Sequence, residues 1–188
     1  MEKKAIVVYA TQFGSTQRYA EWIAKDCGAK LVPVENTTID EMAEYETVIF
    51  GAPVYAGRIW YISLIKDNRE LLANSRVVVF TTGLTEPGDD VAFQEVLKRN
   101  FTDEEQKGIR FFHFPGALDF KKMNFMQKNI MRVLKRAIKK KKAEKRSKME
   151  SYILEYYGGL LDFTNYAYIK PLVKYVQNGD GALPGKTV

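Results

Sequence analysis

The chain has 188 residues, 46% hydrophobic and 28% charged, with a formal net charge of +6. That length suits a single domain (1–188) with a sizeable core. The lone cysteine, Cys27, excludes an internal disulfide, and no apolar run reaches the roughly 18 residues a membrane-spanning helix requires. The charge is uneven: residues 121–148 hold 13 of the 29 lysines and arginines and one acid, Glu144, for a net +12, so the remainder is −6.

In chain order, strand-like runs alternate with helix-like ones. Lys4–Ala10 reads as a buried strand, Thr16–Cys27 as a helix and Ala29–Val34 as a short second strand. Ile39–Ala43 is a weak helix preceded by the capping candidates Thr37 and Thr38. Thr47–Gly51 is a third strand, Ile59–Leu72 a third helix and Arg76–Thr81 a fourth strand. Asp89–Asn100 is a fourth helix, announced by Pro87-Gly88, and Ile109–Phe114 a fifth strand. A last helix lies within Thr164–Gln177, its start obscured by Pro171. Near-continuous apolar strands separated by helices indicate an α/β, doubly wound, five-stranded parallel sheet. The N-terminus leads straight into the first strand, so no leader is expected. The single cysteine suits a reducing compartment, and a cytoplasmic location is expected. Cys27 and the lone His113 read as packing residues, and no Cys/His/carboxylate cluster suggests a metal.

The turn between the first strand and first helix carries the chemistry. Thr11-Gln12-Phe13-Gly14-Ser15-Thr16 joins a strand to a helix N-terminus, where free amides and the helix dipole favour an anion. Thr11, Ser15 and Thr16 add hydroxyls, and Gly14 allows close backbone approach. The loop lacks the Gly-Lys-Ser/Thr of a triphosphate site and the Gly-x-Gly-x-x-Gly of a dinucleotide site. Hydroxyls and amides without a cation suit one terminal phosphate monoester. In these positions the chain resembles the flavodoxins: Val7, Val8, Tyr9, Thr11, Gly14, Thr16 and Ala20 match that family's phosphate-loop pattern.

The resemblance implies FMN as cofactor and a flavodoxin-like strand order, 2-1-3-4-5. Ligands in this architecture sit beyond the strand carboxyl ends, between strands one and three. Candidate cofactor-binding residues are then Thr11, Gln12, Phe13, Gly14, Ser15 and Thr16 in the first loop. Pro53, Val54, Tyr55, Ala56 and Gly57 follow in the second, and Thr82, Gly83 and Leu84 in the third. By resemblance, Tyr55 covers one flavin face, with Trp60 a second candidate, and the third loop meets the pyrimidine edge. Arg58 is either a cation near the flavin or a surface residue. Glu86, Asp89 and Asp90 either solvate the third loop or cap the fourth helix.

Residues 121–139 sort on a helical wheel into an apolar arc (Met123, Met126, Ile130, Met131, Val133, Leu134, Ala137, Ile138) and a cationic one. This inserted basic amphipathic helix, in an insert of about 119–150 before the last helix, either packs on the protein's own sheet, lid-like, or lies on an anionic membrane at its inner face. The favoured reading is packing. The segment lacks a nucleic-acid reading motif, so no nucleic acid is expected as a partner. Gly116-Ala117-Leu118-Asp119-Phe120, followed by an aromatic, Met-rich, basic helix, resembles the menaquinone-dependent protoporphyrinogen oxidases. The chain departs from that family at Asp162-Phe163-Thr164-Asn165, where Thr-Asp-Trp is usual, and in the run Lys139–Lys142. The second resemblance implies an FMN-dependent oxidoreductase acting on protoporphyrinogen IX or a similar reduced substrate, with a quinone as acceptor. The alternative is a flavodoxin-type carrier docking on a redox protein, and a third reading is an interaction module that has lost FMN. No residue stands out as a catalytic acid or base.

Overall fold

The structure, a computed structural model, describes residues 4–84 and 89–179. The apolar runs form strands β1 (Ala5–Tyr9), β2 (Lys30–Pro33), β3 (Thr47–Tyr55), β4 (Arg58–Ile59), β5 (Arg76–Gly83) and β6 (Ile109–Pro115). Five of them pair in parallel in the order β2-β1-β3-β5-β6, and β4 folds back antiparallel on β3. With that hairpin set aside, the order is the expected 2-1-3-4-5 of an α/β doubly wound sheet.

The helices are α1 (Ser15–Cys27), α2 (Ile39–Ala43), α3 (Ser63–Lys66), α4 (Asp90–Asn100), α5 (Asp103–Gln106), α6 (Phe125–Lys140), α7 (Lys148–Glu155) and α8 (Lys170–Asn178). Strand alternation splits the core in two. Val7, Ile49, Val78 and Phe80 meet Tyr19 and Ile23 of α1 and Leu172 of α8 on one face. Ile6, Val8, Phe50 and Val79 meet Phe93 and Leu97 of α4 on the other. Thr38 caps α2 by accepting from the Glu41 amide, and Asp89 caps α4 by accepting from that of Ala92. Pro171 sits in the first turn of α8, where its missing N–H leaves no bond unmade.

Two expectations need correction. The helix expected over Ile59–Leu72 shrinks to Ser63–Lys66, because the chain first reverses into the β3–β4 hairpin through Ala56 (φ 50°) and Gly57 (φ 77°). Tyr61 (φ 54°) turns it again, and the Asn68 amide donates to the Leu64 carbonyl, capping off the short helix. Strand three accordingly runs on to Tyr55, through residues expected to be loop.

The insert is also longer than expected. It runs between β7 (Ala117–Asp119) and β8 (Leu160–Asp162), an antiparallel ribbon with α6 and α7 between its strands. Its apolar arc packs not on the sheet but on a core of its own: Leu118, Phe120, Met131, Ile138, Met149, Ile153 and Leu161. A capping box between Asn124 and Gln127 starts α6. Arg146 ends it by donating to the carbonyls of Ile138 and Lys139, a cation where the helix dipole is negative.

Candidate functional site

The first turn of α1 has the features of an anion cradle. Gly14 caps it in the left-handed region (φ 89°), without a side-chain cap, and the position of a Gly14 Cβ opens on space with no atom within 4 Å. The Arg18 amide takes the Gly14 carbonyl at 3.0 Å. Among the described residues, no acceptor meets the amides of Ser15, Thr16 and Gln17, the groups a helix start leaves free. The Thr11 hydroxyl shapes the loop by accepting from the Gly14 amide at 3.1 Å. Thr16 is fully buried and its hydroxyl joins that of Thr82 at 2.8 Å, tying the first loop to the third. Arg18, the nearest cation in sequence, turns away to Asp162 at 2.6 Å and to Thr164. Burial would raise the Asp162 carboxyl, but Arg18 and Thr164 together hold it below the usual carboxylate range.

Pro53, Val54, Tyr55 and Ala56 form the second wall. The Tyr55 ring rests edge-on to Trp60, centroids 6.4 Å apart, and its buried hydroxyl has no partner. Trp60 supports Tyr55 from outside the cavity, against the core. Gly57 points elsewhere: a Cβ there would stand 2.9 Å from the Arg99 guanidinium, and its carbonyl accepts from Asn100. Arg58 is exposed on β4, outside the cavity lining.

Thr82, Gly83 and Leu84 supply the third wall. Thr85–Gly88, with Glu86 and Pro87-Gly88, lie outside the described residues. Beneath this loop His113 stacks on Phe93 at 5.1 Å and shares a 2.8 Å hydrogen bond between Nδ1 and the Thr81 hydroxyl. His113 keeps some exposed surface, but Nε2 is sealed and unpartnered. Burial lowers its pKa from 6.5 to about 4. The unfolded chain therefore takes up a proton below about pH 6.5 that the folded chain refuses down to about pH 4, and stability falls across that window. Wild type is expected to lose about 2 kcal/mol more than His113→Gln between pH 7.5 and pH 5 in urea unfolding. Parallel losses in the two proteins would show that His113 is protonated when folded.

The three loops and the insert enclose a cavity of about 280 Å³. Of the residues singled out from sequence, Gln12, Phe13, Ser15, Pro53, Val54, Tyr55, Ala56, Thr82, Gly83 and Leu84 line it; Thr11, Gly14, Thr16 and Gly57 do not. The remaining wall comes from Gly116, Ala117, Leu118, Met123, Gln127, Ile130, Met131 and Leu134, absent from the sequence-based candidates. The Met-rich arc was their signal, but only the fold shows it reaching the cavity. Gly116 makes a close approach at this junction: a Cβ would lie 3.3 Å from the Gly83 backbone and 3.4 Å from the Ser15 hydroxyl.

A parallel sheet in this order, with an uncapped helix start beside its central crevice, is the flavodoxin-like doubly wound α/β architecture. A family model described as flavodoxin domain matches residues 6–146, and the chain belongs to that family. No curated protein sequence matches it. Among solved structures it is similar to a putative flavoprotein from Bacteroides uniformis (18% identity, 61% of this chain and 90% of that one, TM-score 0.41). It is also similar to the Trp repressor binding protein from Bacillus subtilis (16%, 61% and 83%, TM-score 0.45). A third likeness is to the two-electron-reduced flavodoxin of Megasphaera elsdenii (21%, 58% and 82%, TM-score 0.38).

FMN is the cofactor of this family, and the residues present fit it. An uncapped helix start with free amides faces open space, as a phosphate requires, and an apolar cavity with an unpartnered Tyr55 hydroxyl adjoins it. The chain is thus a flavodoxin-type redox flavoprotein domain.

Proposed function

We propose that the protein is an FMN-dependent oxidoreductase that oxidises protoporphyrinogen IX, or a similar reduced apolar substrate, and passes the electrons to a quinone. The supporting observation is the insert: Met123 ahead of α6, and Gln127, Met131 and Leu134 on it, lie along the cavity, where a carrier that only docks on other proteins needs no apolar roof. The Gly116–Phe120 stretch, similar to that of the menaquinone-dependent protoporphyrinogen oxidases, leads from the sheet into that roof as β7.

FMN, when bound, supplies a reversible two-electron acceptor. The chain's own residues then bind and orient. The amides of Ser15, Thr16 and Gln17 would hold the phosphate. Tyr55, Val54, Thr82 and Gly83 would hold the ring system, with Trp60 fixing Tyr55 in place. Gln127 is the polar side chain the insert contributes to an otherwise apolar wall; its Oε1 accepts from the Asn124 amide, so its Nε2 is the group that would donate to a substrate. The roof excludes water.

The test is an anaerobic visible spectrum of the FMN-loaded protein before and after protoporphyrinogen IX is added. Bleaching of the flavin bands with appearance of porphyrin, reversed by menaquinone, is the expected result. A flavin that stays oxidised when protoporphyrinogen IX is added, yet is bleached by a reduced redox protein, would point instead to a carrier.

A further inference from the structure

We propose that the outward strip of α6 is a docking face for an anionic lipid bilayer. The apolar arc of this helix is wider than its packing uses. Met131, Leu134 and Ile138 hold it to the insert's core. Met126, Ile130, Val133 and Ala137, spaced so that they form one continuous strip, face outward. Met126 is 69% exposed, Ile130 41% and Val133 65%, and Phe125, at the helix start, is 79% exposed. Scattered exposed side chains need no explanation, but a contiguous strip of large ones on one helix does.

Charge selects the occupant. Arg132, Arg136 and Lys140 border the strip, and Lys128 and Lys139 lie beyond them, all exposed. Among the described residues no acid pairs with any of these five. An apolar strip edged by cations that no acid neutralises is the composition that sinks shallowly into an anionic headgroup layer. The rest of the chain carries −6 against the segment's +12, so an anionic surface attracts this face and repels the body, which fixes the orientation. A second copy is the weaker occupant, because a symmetric contact through this strip brings two cationic borders of the same sign together. Among the described residues no helix is long and apolar enough to cross a membrane, so the contact is peripheral.

The strip also reaches the cavity. Ile130 is both exposed and part of the cavity wall, so docking brings the cavity rim to the lipid surface, where a lipid-dissolved acceptor would enter. That corollary rests on the oxidoreductase reading; the docking itself does not.

Flotation of the full chain with vesicles tests it, using phosphatidylcholine alone and mixed equally with phosphatidylglycerol. Wild type is expected to float with the mixed vesicles only. Arg132→Gln/Arg136→Gln/Lys140→Gln is expected to weaken binding about 100-fold, from roughly a fivefold share per cation. Met126→Glu/Val133→Glu, at exposed sites that leave the fold intact by circular dichroism, is expected to weaken it at least about tenfold. Undiminished binding by the glutamate pair would show that the apolar strip does not enter lipid and would overturn the proposal. Absence of wild-type binding, with or without self-association in sedimentation velocity, would overturn it as well. None of these readouts depends on turnover, so they fail or succeed separately from the spectral test.

Discussion

Gly51→Ala is expected to destabilise the fold by at least about 3 kcal/mol, the upper end of what overpacking a core produces. Gly51 lies in the middle of the sheet, with Tyr9 and Phe80 as its partners on either side. A Cβ there would stand 2.1, 2.4 and 2.7 Å from three atoms of the Phe80 ring. That ring cannot step aside: it is fully buried and packed 5.6 Å from Phe114. Nor can the backbone, since β3 is hydrogen-bonded on both edges. For a chain of this size the loss should lower the melting temperature by roughly 10 °C. Phe80→Leu, destabilising alone, should recover part of the loss in the double variant, because the two positions share one clash. A Gly51→Ala protein within about 1 kcal/mol of wild type would mean that the strands separate more readily than the register implies.

Ser15→Asp is expected to separate binding from stability. A carboxylate at the start of α1 sits where the helix dipole and free amides favour negative charge, so the apo protein should keep or gain stability. The same charge occupies the phosphate's place. At about 4 Å and an effective dielectric near 20, repulsion between two unit charges is about 4 kcal/mol, so FMN affinity should fall at least about 100-fold. Flavin fluorescence titration and thermal unfolding of the same samples distinguish the outcomes. Unchanged FMN affinity would remove the phosphate from this turn. Lost affinity with lost stability would mean only that Ser15, which is buried, tolerates no larger side chain.

The sheet and the strand–turn–helix with its uncapped helix start were legible in the sequence because each rests on local chemistry. Apolar β-branched runs announce buried strands, and a glycine among hydroxyls before a helix announces a phosphate turn. The β3–β4 hairpin was not legible, because its reversal uses Ala56 at positive φ, a conformation alanine does not advertise. The apolar spacing from Ile59 to Leu72 then imitated a helix that Tyr61 and Asn68 interrupt. Strand β8 has three residues, too few for any periodicity. The arc on α6 was visible, but a wheel cannot say which half of an arc meets a partner. Its division into an inner half (Met131, Leu134, Ile138) and an outer half (Met126, Ile130, Val133) depends on contacts far away along the chain.

The pairing of Arg18 with Asp162, and of Tyr19 with both the Pro115 carbonyl and the Asn165 amide, bears on the order in which the turn and its partners assemble during biosynthesis. The turn is made within the first twenty residues, yet Arg18 finds its partner, and Tyr19 its second one, only after residue 160 has left the ribosome. Closing so long a loop is entropically late. A chain that stops short of residue 160 would carry the turn without the partners that hold Arg18 in place.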